Sequence, residues 1–179
     1  RIHDVLETYA NTHSKEASNA DKTTNYYELA RNSLIKSLEL SNDFAILPSG
    51  YGTTAAIKHF QELMGLYIPP ATKKRFGFQI DTKSAPLVIV GPYEHHSNEV
   101  SFREALCEIQ RINLDKQGLV DLNHLKVVLE ENKHREIIAS FCIASNVTGI
   151  ITPYEEISKM LRSYNAIVCF DAAASSPYM

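Results

Sequence analysis

The stretch Pro48-Ser49-Gly50-Tyr51-Gly52-Thr53-Thr54 has the residue types and spacing to do chemistry. It closes a short apolar run, Phe44-Ala45-Ile46-Leu47, and opens a helical pattern of Ala56, Ile57, Phe60, Leu63 and Met64. The order predicts strand, glycine turn, helix. Two glycines let the backbone turn sharply and approach a ligand, and the first N–H groups of the helix point outward at the positive end of its dipole. With the hydroxyls of Thr53 and Thr54 beside Gly52, these are the makings of a phosphate site. The same pattern also serves as an ordinary helix start.

Three further positions share one feature: each follows an apolar run. His95 and His96 stand in Gly91-Pro92-Tyr93-Glu94-His95-His96-Ser97-Asn98, directly after Leu87-Val88-Ile89-Val90. Asn146 stands in Ser145-Asn146-Val147-Thr148-Gly149, after the nearly continuous apolar run from Ile137 to Ala144. Asp171 follows Ala166-Ile167-Val168-Cys169-Phe170. Singly, each has a plainer reading as a loop histidine, a turn asparagine or a capping aspartate.

The elements that must position these residues alternate. A helix is expected from about Thr24 to Leu40, then the strand at 44–47, the helix after Gly52, and an irregular excursion over 66–86 in which Pro69-Pro70 breaks any helix and Lys73-Lys74-Arg75 is exposed. After the buried strand 87–90 come a short helix, a half-buried strand at Cys107-Glu108-Ile109-Gln110, and a helix capped by Asp121 with Leu122, Leu125, Val128 and Leu129 on one face. Thr152-Pro153-Tyr154-Glu155 predicts a helix start with a threonine cap, and that helix ends near Tyr164-Asn165, ahead of the last buried strand. Strands alternating with helices imply a three-layer α/β sandwich around a mostly parallel sheet. In such sheets ligands bind outside the carboxyl ends of the strands, so Gly52, Thr53, Thr54, His95, Asn146 and Asp171 should converge.

A phosphate site, a flat imidazole, an amide donor and a carboxylate together meet the needs of pyridoxal 5'-phosphate, whose ring nitrogen stays protonated beside an opposite charge. In order and spacing, Ser49-Gly50-Tyr51-Gly52-Thr53-Thr54, Glu94-His95-His96-Ser97-Asn98, Ser145-Asn146-Val147-Thr148-Gly149-Ile150 with Pro153, and Asp171-Ala172-Ala173 with Ser176-Pro177 resemble the class V aminotransferase and cysteine desulfurase group of fold-type I enzymes that use this cofactor. The resemblance runs from about Thr24 to Tyr178. It implies the large-domain fold of that group, with Thr53 and Thr54 on the cofactor phosphate, the catalytic His95 stacked on the pyridine ring, Asn146 facing the phenolic oxygen and Asp171 pairing with the ring nitrogen. It further implies a lyase or transferase acting on an amino acid, foremost by sulfur or selenium abstraction, working as a homodimer with a sulfur-acceptor protein. Ala174 departs from the group, which carries an amide donor there. The Schiff-base lysine of the group lies one element beyond Asp171, and its nucleophilic cysteine lies further on.

On this reading residues 1–23 form an amino-terminal segment and 24–179 a large cofactor-binding domain incomplete at its carboxyl end, a fragment inactive by itself. The 179 residues carry a net charge of -3 and 44% apolar content, which suits one soluble domain and argues against a nucleic-acid binder. No apolar segment approaches a membrane span and no basic-then-apolar leader opens the chain, so a cytoplasmic location is expected. Cys107, Cys142 and Cys169 lack paired metal-ligand spacing and read as buried free thiols. Two other functions stay open. Gly50-Tyr51-Gly52-Thr53-Thr54-Ala55 fits a dinucleotide-binding pattern, although no strand ending in an acid follows about 20 residues on, and a silent dimerisation domain would carry neither cofactor.

Overall fold

The computed structural model describes residues 2–14, 16–79, 81 and 84–178. Positions 80, 82 and 83 of the expected excursion, and 179 at the end of the chain, lie outside the described residues. The chain divides into two compact units, Arg1–Pro48 and Ser49–Met179.

In the first unit, helix α1 spans Ile2–Leu6 and α2 spans Ser18–Ser37. The helix expected from Thr24 thus starts earlier, and the reason lies in its threonines. Thr23 and Thr24 return their hydroxyls to Asn19 O (2.9 Å) and Ala20 O (2.8 Å) one turn back, so polar residues that read as non-helical are satisfied inside a helix. The same hydroxyls accept from Ala10 N and His13 N, which docks the loop over 9–14 on α2. Residues 44–47 are not a strand. Phe44 N bonds back to Ser41 O in a turn, and Phe44 and Leu47 are 61% and 59% exposed. A short apolar run reads the same in a strand and in an extended loop, and residues 44–47 take the latter.

The second unit is built on four strands: β1 Leu87–Val90, β2 Glu108–Arg111, β3 Ile137–Cys142 and β4 Ile167–Asp171. Their order is β2-β1-β3-β4 and every pairing is parallel. Helices α3 Gly52–Leu63 and α4 Pro70–Phe76 precede β1, and α5 His96–Glu104, α6 Leu122–Asn132 and α7 Tyr154–Ser163 join the strands in turn. Because side chains alternate along a strand, the two faces of β1 and β3 feed two cores. Leu87, Ile89, Ala139 and Phe141 pack with Leu125, Val128 and Leu129 of α6 and Ile157 and Leu161 of α7. Val88, Val90 and Ile138 pack with Phe102 of α5, against which Ile57 and Phe60 of α3 lie. The expected three layers are therefore present, with β1 and β3 wholly buried at the centre.

Three local expectations need correction. Pro70 starts α4 instead of breaking a helix, since proline is tolerated at the first helical position, and Gly77 closes that helix in a left-handed conformation. Thr152 does not cap α7: Pro153 holds the cap position with no side-chain hydrogen bond, and the buried Thr152 turns its side chain to the Cys142 thiol. Strand β4 is half-buried up to Asp171, because it is an edge of the described sheet and not an inner strand. The expected Asp121 cap is as read, with its Oδ1 accepting from Asn123 N and His124 N. No described helix is long and apolar enough to cross a membrane.

Candidate active site

The parallel order sets the carboxyl ends of β1, β3 and β4 side by side, and a cleft of about 350 Å³ opens there. Its walls include Gly52, Thr53, Thr54, His95, Asn146 and Asp171, together with Tyr51, Ser97, Cys142, Ala144, Ala173 and Ala174. The sequence-predicted residues thus meet in one place although they come from four separate segments. His96, which stands beside His95 in the sequence, is not on the lining.

Each wall follows from local chemistry. At the glycine turn, Gly50 adopts φ +43°, and a Cβ there would lie 2.7 Å from the Ala55 Cβ, so only glycine lets the chain enter α3 this closely. Ser49 Oγ and His59 Nδ1, 2.6 Å apart, tie the turn to its helix. Tyr51 occupies the cap position of α3 without a side-chain cap, which leaves the first N–H groups of a twelve-residue helix facing the cleft with their dipole. The Thr53 and Thr54 hydroxyls make no hydrogen bond among the described residues.

His95 caps α5. Its Nδ1 accepts from Ser97 N (3.2 Å) and lies 2.7 Å from Ser97 Oγ. A ring nitrogen that accepts from a backbone N–H carries no proton, so the neutral ring is the Nε2–H tautomer and its plane is held by Ser97. Asn146 is exposed, and its side chain makes no hydrogen bond among the described residues. Asp171 is 9% exposed; its Oδ1 accepts from Ala173 N (2.9 Å), and no described donor reaches the other oxygen. A nearly buried carboxylate with one free oxygen on a cleft wall is suited to a cationic N–H.

Sequence reading gave no role to Glu94 or Ser97. Glu94 Oε1 accepts from Gly91 N (3.2 Å) and Cys142 N (2.9 Å), and Oε2 from Asn98 Nδ2 (2.5 Å). Asn98 is fully buried and also accepts from Ser140 Oγ (2.7 Å). Burial pushes the Glu94 carboxyl above the usual range, against the pull of these donors, and the charge of Asp171 adds to the rise. The buried Cys142 thiol is pushed up to about 12, first by burial and then by Glu94. The only hint of this in the sequence is an acid set between Tyr93 and His95 at a strand end.

The residues fit a single-ring phosphorylated ligand: unpaired anion donors, a nearly buried carboxylate oxygen and a flat ring line one cleft. A parallel α/β sheet carrying such a cleft at its carboxyl edge defines a nucleotide- or cofactor-binding class of protein. Within that class the chain belongs to the class-V aminotransferase family, whose sequence profile matches residues 2–179. Members of this family depend on pyridoxal 5'-phosphate.

The chain is 27% identical over 174 residues to a cysteine desulfurase of Synechococcus elongatus, covering 95% of this chain and 25% of that protein. It is 32% identical over 91 residues to a probable cysteine desulfurase of Chlamydia trachomatis, covering 48% of this chain and 22% of that one. Among solved structures, the apo cysteine desulfurase of Thermococcus onnurineus superimposes with a TM-score of 0.68 at 20% identity, over 99% of this chain and 42% of the other. A NifS-like protein superimposes at 0.72 and 20% identity, over 96% and 44%. The chain therefore spans less than half the length of these solved relatives, which share its fold.

Proposed function

We propose that the chain supplies the cofactor-binding part of a pyridoxal 5'-phosphate-dependent enzyme that acts on an amino acid, foremost by abstracting sulfur or selenium from cysteine or a similar substrate. The observation that carries this reading is the meeting of the uncapped α3 terminus, His95, Asn146 and Asp171 on one cleft. The cysteine substrate rests on the names of the relatives, and with it come a homodimer, a sulfur-acceptor protein and a cytoplasmic setting.

In this proposal the α3 N–H groups and the Thr53 and Thr54 hydroxyls hold the phosphate. His95 presents its ring face, kept in place by Ser97, and Asn146 donates its amide to the phenolic oxygen. Asp171 accepts the proton-bearing ring nitrogen and keeps it charged. Bound there, the cofactor supplies an electron sink for the pair left when the Cα proton of a substrate departs. Ala174, on the lining, offers a methyl where an amide would add a second donor, so Asn146 alone serves the phenolic oxygen. Among the described residues no lysine lines the cleft, and the chain alone is proposed to bind without turning over an amino acid.

The test is titration with pyridoxamine 5'-phosphate, which fluoresces and lacks the aldehyde that reacts with surface lysines. The wild-type chain should bind it in competition with inorganic phosphate and not with NAD. Thr53→Val with Thr54→Val should weaken binding by about thirtyfold through two lost hydroxyls, each worth about 1 kcal/mol. Asp171→Asn should lower affinity for the ring while sparing that for phosphate. Binding unchanged in both variants would sink the proposal.

A further inference from the structure

Strands β1 and β3 stay paired as far as Val90 and Ser140, after which β1 turns away at Gly91-Pro92. On the other side of β3 the ladder continues, with Ile143 N donating to Asp171 O (2.9 Å). The N–H of Cys142 faces the side that β1 has left, and the Glu94 carboxylate takes it in place of a strand carbonyl, together with the N–H of Gly91. Asn98 closes the second carboxylate oxygen and is itself held by Ser140. One acidic side chain thus stitches the ends of β1 and β3 together. It is adjacent to His95 in sequence, and the residue whose N–H it takes, Cys142, pairs with Asp171 across the sheet. A neutral glutamine could accept the same two N–H groups, so stitching alone does not require a charge.

We propose that Glu94 is a positioning residue of the cofactor site, whose ionised carboxyl, fixed between the two strand ends, strengthens the hold of Asp171 on a cationic ring nitrogen. This rests on the cofactor reading above. The titratable groups around Glu94 are Cys142 on β3, Asp171 on β4, and Tyr93 and His95 on its own loop. Cys142 is a neutral thiol, pushed up to about 12, so the charge Glu94 senses across the sheet is that of Asp171. The Glu94 carboxyl lies above its ordinary range for want of solvent and because of that neighbouring charge. A cation placed on Asp171 relieves the second cause, so binding the ring favours the ionised form of Glu94; by reciprocity, ionised Glu94 favours binding.

Pyridoxamine 5'-phosphate is titrated against the 179-residue wild type and Glu94→Gln over a pH series that carries the Glu94 carboxyl, raised by burial and by the Asp171 charge, from its neutral to its ionised form. At the upper end, where the carboxyl is ionised, the variant should bind about tenfold more weakly, within the usual range of coupling between two sites. The ratio should fall towards one as the pH is lowered far enough for the wild-type carboxyl to take up its proton. A merely structural role would give a ratio that does not change with pH, and that result overturns the proposal. Should Glu94→Gln fail to fold, the carboxyl carbon resonance of Glu94 in the wild type serves instead. Its titration midpoint should move down on adding pyridoxamine 5'-phosphate and stay put with inorganic phosphate, and an unmoved midpoint overturns the proposal. Binding with a pH-flat ratio refutes the role of Glu94 alone, whereas no binding by the wild type refutes the cofactor reading and this proposal with it.

Discussion

Cys142 sits on the cleft wall, where a reactive thiol would draw attention as a nucleophile. Its surroundings argue against that role. Burial and the Glu94 carboxyl push it up to about 12, and burial alone pushes Cys169 up to about 11. Cys107 stands at about 11 for the same cause, with its Sγ facing Phe102 O. At pH 8 a thiol of pKa about 11 is about 0.1% thiolate. Native protein should therefore react with Ellman's reagent far more slowly than protein in denaturant, where all three thiols should titrate at once. A thiol that reacts rapidly in the native state at pH 8 would contradict these surroundings. The places of residues on the cleft divide in the same way. Those of Asp171 and His95 were legible because a polar residue follows an apolar run. Glu94 was not, because sequence gives its charge and not the three donors that fold around it.

At the scale of elements, the turn after β1 has the least room to spare. A Cβ on Gly91 would lie 2.5 Å from Glu94 Oε1 and 2.9 Å from Phe141 Cδ1, the first pinned by its donors and the second packed in the core. Gly91→Ala should destabilise the chain by about 1–3 kcal/mol, the usual cost of forcing extra volume into a packed site. Urea unfolding would measure it, and an unchanged midpoint would mean that the Glu94 stitch yields freely. Strands β1, β3 and β4 were readable as apolar runs flanked by turn residues. The run at 44–47 is apolar in the same way and is not a strand, so composition could not tell the two apart. Helix α4 was hidden because Pro69-Pro70 reads as a breaker, yet a proline that opens a helix loses no hydrogen bond. Helix α2 began early because its threonine hydroxyls bond within the helix, which periodicity of apolar residues does not report.

Across the second unit, the strand order decides more than where the cleft opens. Strands β1 and β3 are paired on both sides, whereas β4, which ends in Asp171, has β3 as its sole ladder partner among the described residues. The residue proposed to hold the ring nitrogen is thus mounted on an edge, while the Glu94 network is mounted on the centre. Sheet edges open more readily than their middles. In deuterated buffer, the backbone amides of β1 and β3 should keep their protons longest, and those of the edge strands β2 and β4 should lose them sooner. Pyridoxamine 5'-phosphate should slow the loss on β4 without altering the centre, since a ligand held by Asp171 stabilises the closed form of the strand that carries it. Equal exchange rates on β3 and β4 would mean that the edge is as firm as the middle. The strand order therefore makes occupancy of the cleft readable as a clock on residues 167–171, one that needs neither substrate nor turnover.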